Sequence, residues 1–110
     1  MTFEEIFEKS KKIIMKHDVS EIPGHLAVQI NITGEGSGIF YIELLESKLY
    51  VEPYEYYDRD CIFTVSAENF FKLADGTLNP VKAFTLGKLK VDGSIEKALE
   101  FQKIVDAVSK

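Results

Sequence analysis

At 110 residues with 45% hydrophobic side chains, the chain is long enough for one domain with its own core and too apolar to stay disordered. Lys and Arg total 13 against 18 Asp and Glu, a formal charge of -5, so the basic footprint of general nucleic-acid binding is missing. A single cysteine, Cys61, rules out an internal disulfide, no charged segment followed by an apolar one opens the chain, and the apolar runs fall far short of the ~20 residues that span a bilayer. The expectation is one domain over residues 1–110, cytoplasmic, with no cofactor.

Thr2 followed by Glu5 is a capping-box pattern, with Glu4 and Glu5 early and Lys9, Lys11, Lys12 and Lys16 later, as the helix dipole favours. Phe3, Ile6, Phe7, Ile13 and Ile14 recur at helical spacing, which predicts an amphipathic helix over 3–15 whose apolar face packs on the domain. A membrane-inserting role is the weaker alternative, because the lysines stand without any Trp. His17, Asp18, Glu21 and His25 surround the turn signal Pro23-Gly24. Their spacing lacks the paired ligands of a zinc site, so they read as a solvated loop.

Leu26, Val28, Ile30 and Ile32 alternate with Ala27, Gln29, Asn31 and Thr33, the pattern of a half-buried strand. Three glycines at 34–38 connect it to a second run in which Phe40, Ile42 and Leu44 share a face, predicting a hairpin. No Gly-Lys-Ser/Thr follows the glycines and the next element is a strand, so a phosphate loop is not expected. Glu46-Ser47-Lys48 turns into a third strand at 49–52, stopped by Pro53. Four of the five tyrosines lie between 50 and 57; they suit a pocket rim or a dimer contact, or equally the packing of an edge strand. Asp58, Arg59 and Asp60 read as a solvated turn with one exposed ion pair rather than a catalytic set, since neighbours on an extended strand face opposite ways.

A fourth strand is expected at 61–65. Ser66 caps a helix over 67–75 with Phe70, Leu73 and Ala74 on one stripe and Phe71 at its margin, and Gly76 ends it. Asn79-Pro80 starts a short helix to residue 86, expected to turn Val81 and Phe84 inward. Gly87 releases the chain into a strand at 88–92, and Ser94 caps a last helix over 95–108. Its apolar set, Ile95, Ala98, Leu99, Phe101, Ile104, Val105 and Val108, is wider than one sheet contact needs.

The run D-C-I-F-T-V-S-A-E-N-F-F-K-L-A-D-G-T-L-N-P-V-K-A-F-T-L-G-K-L-K-V-D-G-S from Asp60, continuing into Ala98-Leu99-Glu100-Phe101-Gln102, resembles the sterol carrier protein 2 (SCP2) domain. The most specific pieces are G-x-L-N-P from Gly76 to Pro80, the Ala83-Phe84 pair, and G-K-L-K-V-x-G from Gly87 to Gly93. The resemblance implies an α+β fold: a five-stranded mixed, largely antiparallel sheet covered on one face by helices, with an apolar tunnel for sterols, fatty acids, fatty acyl-CoA or phospholipids. Carried onto this chain, it points to Phe70, Leu73, Leu78, Phe84, Leu86, Leu99, Phe101 and Gln102 as tunnel residues, Gln102 being the polar contact. Strand alternation adds Ile42 and Phe63.

The end Val108-Ser109-Lys110 departs from the Ser-Lys-Leu peroxisomal signal of such proteins, so that location is not expected. An empty apolar cavity of even ~300 Å³ would cost on the order of 7 kcal/mol, comparable with the stability of a small domain. The tunnel is therefore expected to be filled or partly collapsed. Non-catalytic lipid binding and transfer is the leading expectation, with a lipid partner, a transient membrane contact and a monomer or weak homodimer. Lys82, Lys88 and Lys90 either neutralise an acidic head group or are solvated surface charge. The alternative function is a protein-interaction or dimerisation module with a vestigial cavity. No nucleophile with an adjacent base supports an enzyme.

Overall fold

The computed structural model describes residues 1–106. Helix α1 (Phe3–Ile14) leads into strands β1 (His25–Thr33), β2 (Gly38–Leu45), β3 (Lys48–Glu52) and β4 (Cys61–Ser66). Helices α2 (Ala67–Ala74) and α3 (Pro80–Thr85), strand β5 (Leu89–Gly93) and helix α4 (Ile95–Asp106) complete the order. Val108, expected in the last helix, lies outside the described residues. The sheet order is β3-β2-β1-β4-β5. Among the described residues the central β1–β4 pair is parallel and the other three pairs are antiparallel. The mixed, largely antiparallel five-stranded sheet is thus the one the resemblance implies.

Register gathers the core-facing apolar residues of the strands on one face. Val28 lies between Ile42 and Cys61, and Ile30 between Phe40 and Phe63; Val65 faces Leu89 and Phe63 faces Val91. The four helices cover this face. Ile6, Phe7, Ser10 and Ile14 of α1 are buried, Phe7 meets Phe40 edge to face at 5.6 Å, and Phe40 meets Phe70 of α2 at 5.4 Å. Phe101 of α4 meets Phe63 at 5.3 Å in the same manner. Such pairs add ~0.5–1.5 kcal/mol beyond area burial.

Local chemistry sets the boundaries. Thr2 and Glu5 make both bonds of the capping box, at 2.8 and 3.2 Å. The glycine run before β2 has a packing reason: a side chain at Gly38 would collide with the ring of Phe3. The loop at 53–60 is no free turn. Asp60 accepts from the Ala27 amide at 2.8 Å, its own amide donates to the Ala27 carbonyl, and Arg59 donates to the Tyr56 carbonyl.

Candidate functional site

The segment between α2 and α3 is fixed by short-range hydrogen bonds. Thr77 donates to the Asp75 carboxylate from both its amide and its hydroxyl. Asn79 Oδ1 accepts from the amides of Val81 and Lys82 at 2.8 and 3.2 Å, with Pro80 in the first turn where its missing N–H costs nothing. At the other end Gly87, with φ +75°, lets the Lys88 amide reach the Ala83 carbonyl at 2.8 Å. The chain then enters β5 and turns into α4 at Gly93. Its φ is +97°, and a Cβ there would come within 2.7 Å of the Asp60 carbonyl oxygen. That same oxygen accepts from the Ser94 amide at 3.0 Å.

Between α3, β5 and α4 these turns leave an open groove of about 260 Å³. Pro80, Val81 and Phe84 form one wall, Leu89 and Val91 the floor, and Ile95, Ala98 and Leu99 the other wall. Every lining side chain is apolar. Phe84 is 53% exposed, Ile95 53% and Leu99 46%. The inward direction expected for Val81 and Phe84 is corrected here: Pro80 and Ala83 are the buried residues of α3, and the other two face the groove.

The expected site residues divide by depth. Phe84 and Leu99 line the groove, and Leu86 stands exposed just beyond α3. Ile42, Phe63, Phe70, Leu73 and Phe101 are fully buried in the core, Leu78 is half-buried against it, and Gln102 is partly buried on α4. A continuous apolar tunnel is not shown. Its place is taken by close packing of Phe63, Phe70, Leu73 and Phe101, the collapsed alternative that the cost of an empty cavity favours. The lining by Ile95 and Ala98 had a signal in the sequence, the over-wide apolar set of α4; the floor residues Leu89 and Val91 had only strand alternation.

The opposite face of the sheet carries a polar cluster. Glu43, 9% exposed, accepts from the Tyr56 hydroxyl at 2.6 Å and lies 2.7 Å from His25 Nε2. Gln29, also buried, accepts from the Tyr56 amide and donates to Asn31, while Tyr41 stacks on Tyr56 at 4.6 Å. The hydrogen bond to Glu43 pushes the Tyr56 phenol up to about 12. Burial, and then the Asp60 carboxylate, likewise push the Cys61 thiol up to about 12, which makes it a poor nucleophile. His17 lies elsewhere, buried with its Nε2 on the Ala74 carbonyl, so the two histidines do not meet. Among the described residues no group of three metal-ligating side chains is assembled.

The SCP-2 sterol transfer family model matches residues 3–106, and the chain belongs to that family. The chain is also similar to hydroxysteroid dehydrogenase-like protein 2 of Rattus norvegicus, 33% identical over 78 residues. The match covers 70% of this chain and 15% of the relative, so the chain spans a small part of that protein's length. Among solved structures it superposes on palmitated SCP2L2 from Aedes aegypti with a TM-score of 0.66 at 21% identity, covering 96% of this chain and 95% of that one. It also superposes on apo sterol carrier protein 2 from Yarrowia lipolytica, with a TM-score of 0.60 at 23% identity, covering 96% and 77% respectively. The SCP2 fold is typically a non-catalytic, lipid-binding one.

Proposed function

We propose that this domain binds and transfers lipids, taking the acyl or sterol-like part of a fatty acid, fatty acyl-CoA, sterol or phospholipid through the groove between α3, β5 and α4, without chemistry of its own. The observation that carries the reading is the wholly apolar groove of about 260 Å³, on which Val81, Phe84, Ile95 and Leu99 stand exposed together. Palmitate in the complex of the Aedes aegypti relative supports the same ligand class.

The groove lies below the ~300 Å³ usual for ligand pockets, so a long chain has to deepen it. Phe63 is the register partner of the floor residue Val91 and packs on Phe101, and parting that edge-to-face pair costs ~0.5–1.5 kcal/mol beyond area. Ten buried methylenes return about 8 kcal/mol, the favourable contribution set against that opening and against the entropy lost on association. In this reading Phe84 and Leu99 guide the chain in. Phe63, Phe70, Leu73, Leu78 and Phe101 become its walls, Ile42 its sheet-side floor, Leu86 its rim, and Gln102 its polar contact. Among the described residues no helix is long and apolar enough to cross a membrane; action in the cytoplasm is part of the proposal.

Palmitate titration followed by thermal unfolding tests it. At a hundredfold excess over Kd, binding is expected to add about 2.7 kcal/mol, a rise of roughly 10–20 °C in Tm for a domain of this size. A protein purified free of lipid that neither binds palmitate nor gains stability from it would overturn the reading. The second reading, a protein-interaction module, draws on Tyr54 and Tyr57, exposed at 62% and 85%. Sedimentation with and without palmitate separates the two.

A further inference from the structure

Across the sheet from the groove lies a second pocket, of about 360 Å³, with a polar lining of Thr33, Thr64, Ser66, Asn69, Lys88 and Lys90. Lys90 alternates along β5 with the groove-floor residues Leu89 and Val91, so the two cavities open on opposite faces. Strand pairing fixes the framework: Thr33 stands beside Ser66, and Thr64 beside Lys90. Thr33 and Ser66 are also the last residues of β1 and β4, the parallel pair. In open α/β sheets the space beyond the carboxyl ends of parallel strands is where ligands bind, and this pocket holds the same position at β1 and β4.

The lining defines the chemistry that fits. Each of the six side chains carries a hydrogen-bond donor, two of them as ammonium groups, and no carboxylate lines the pocket. The side chains of Thr33, Thr64, Asn69, Lys88 and Lys90 have no hydrogen-bond or ion-pair partner among the described residues. Ser66 Oγ accepts from the Asn69 amide at 3.3 Å and keeps its own proton to donate. The acids closest in sequence, Glu35, Glu68 and Asp92, lie outside the lining, and Glu68 is 3.9 Å from Lys72. Asp75 is engaged by the amide and hydroxyl of Thr77. Two cations without an acid in one pocket thus run against the sign of a chain whose net charge is -5. A phosphoryl group brings three strong acceptor oxygens to such a donor set, against two from a carboxylate. The volume falls in the ~300–1,000 Å³ range of small-molecule pockets, with room for a group attached to the phosphoryl.

We propose that this pocket binds a dianionic phosphoryl group, as free phosphate or on a small soluble phosphomonoester. Lys88 and Lys90 neutralise its charge, and Thr33, Thr64, Ser66 and Asn69 donate to its oxygens. The site is separate from the groove and does not depend on what the groove holds.

Nuclear magnetic resonance titration of the full chain with ribose 5-phosphate, against ribose, tests the proposal. Amide shifts are expected at residues 33, 64–69 and 87–90 with the phosphate ester and not with the sugar. Inorganic phosphate titrated in parallel separates the two sources: equal affinity supports a site for the free ion, and ester binding about fivefold tighter or more supports the ester. Lys88→Gln with Lys90→Gln should weaken the binding about tenfold or more. Lys12→Gln with Lys103→Gln removes the same charge elsewhere and should stay within about twofold of the parent. Thr64→Val leaves the charge alone and should weaken binding about fivefold. Shifts with ribose as large as with its phosphate, no shifts at these residues, or equal losses from the two lysine pairs would overturn the proposal.

Discussion

The two ends of the helical layer use similar residues to opposite ends. On the α1–α2 side, Phe7, Phe40 and Phe70 pack in successive edge-to-face contacts, and Ile6, Ile14 and Leu73 are 0–1% exposed. On the α3–α4 side, Phe84, Ile95 and Leu99 are about half exposed over a groove. The shortness of α3 accounts for its part of the contrast; α4 is as long as α1. A 12-residue helix with a strong apolar stripe can seal its face on the sheet, whereas the six residues of α3 make fewer than two turns and bury only Pro80 and Ala83. One end seals its apolar residues in the core and the other leaves part of them exposed.

The largest expected effect is at the closed end. Phe70→Ala removes a fully buried ring from between α2 and β2 and should cost about 3–5 kcal/mol in chemical unfolding. The open end should respond the other way: Phe84→Ser and Leu99→Ser are expected to change stability by about 0.5 kcal/mol or less while lowering palmitate affinity about tenfold each. If Leu99→Ser destabilised the domain as much as Phe70→Ala, the two ends would not differ in kind. The smallest effect tests the sheet's far face. Tyr56 has a phenol raised above its ordinary value of 10.0 to about 12, so the folded state favours the protonated form. Its contribution is present below pH 10 and is lost as the pH rises from about 10 to 12. Cys61, raised from 9.0 to about 12, loses its contribution between pH 9 and 12. Tyr56→Phe should flatten the upper part of the alkaline decline in stability, followed by circular dichroism, and leave the part due to Cys61.

What was legible in the sequence was whatever depends on near neighbours. Alternation from Leu26 to Ile32 set the face of β1, and the Thr2–Glu5 and Asn79-Pro80 signals marked helix starts, because each cap closes over two or three residues. The direction of α3 was not legible: Val81 and Phe84 share a helix face, but the Lys88 amide bonded to the Ala83 carbonyl belongs to the following connection. The Glu43 cluster was hidden for a related reason. His25, Glu43 and Tyr56 meet only after β1 and β2 pair in register, and His25, beside the Pro23-Gly24 turn signal, opens β1 rather than lying in a loop. The resemblance points to apolar residues without resolving their depth, since a residue packed in a closed core and one lining a cavity follow the same alternation.

The parallel pairing of β1 with β4 also has a consequence for synthesis. Once residues 25–52 have left the ribosome, β1, β2 and β3 can form their meander, but the strand destined for the centre of the sheet is then an edge. Its free backbone groups wait for residues 61–66, and the apolar row of Leu26, Val28, Ile30 and Ile32 waits for α2 and α4. A nascent chain stalled in that interval presents an uncapped edge beside a greasy face, the combination most prone to pair with another chain. The later arrival of β4 makes the synthesis of residues 53–66 the interval in which β1 stands as an open edge.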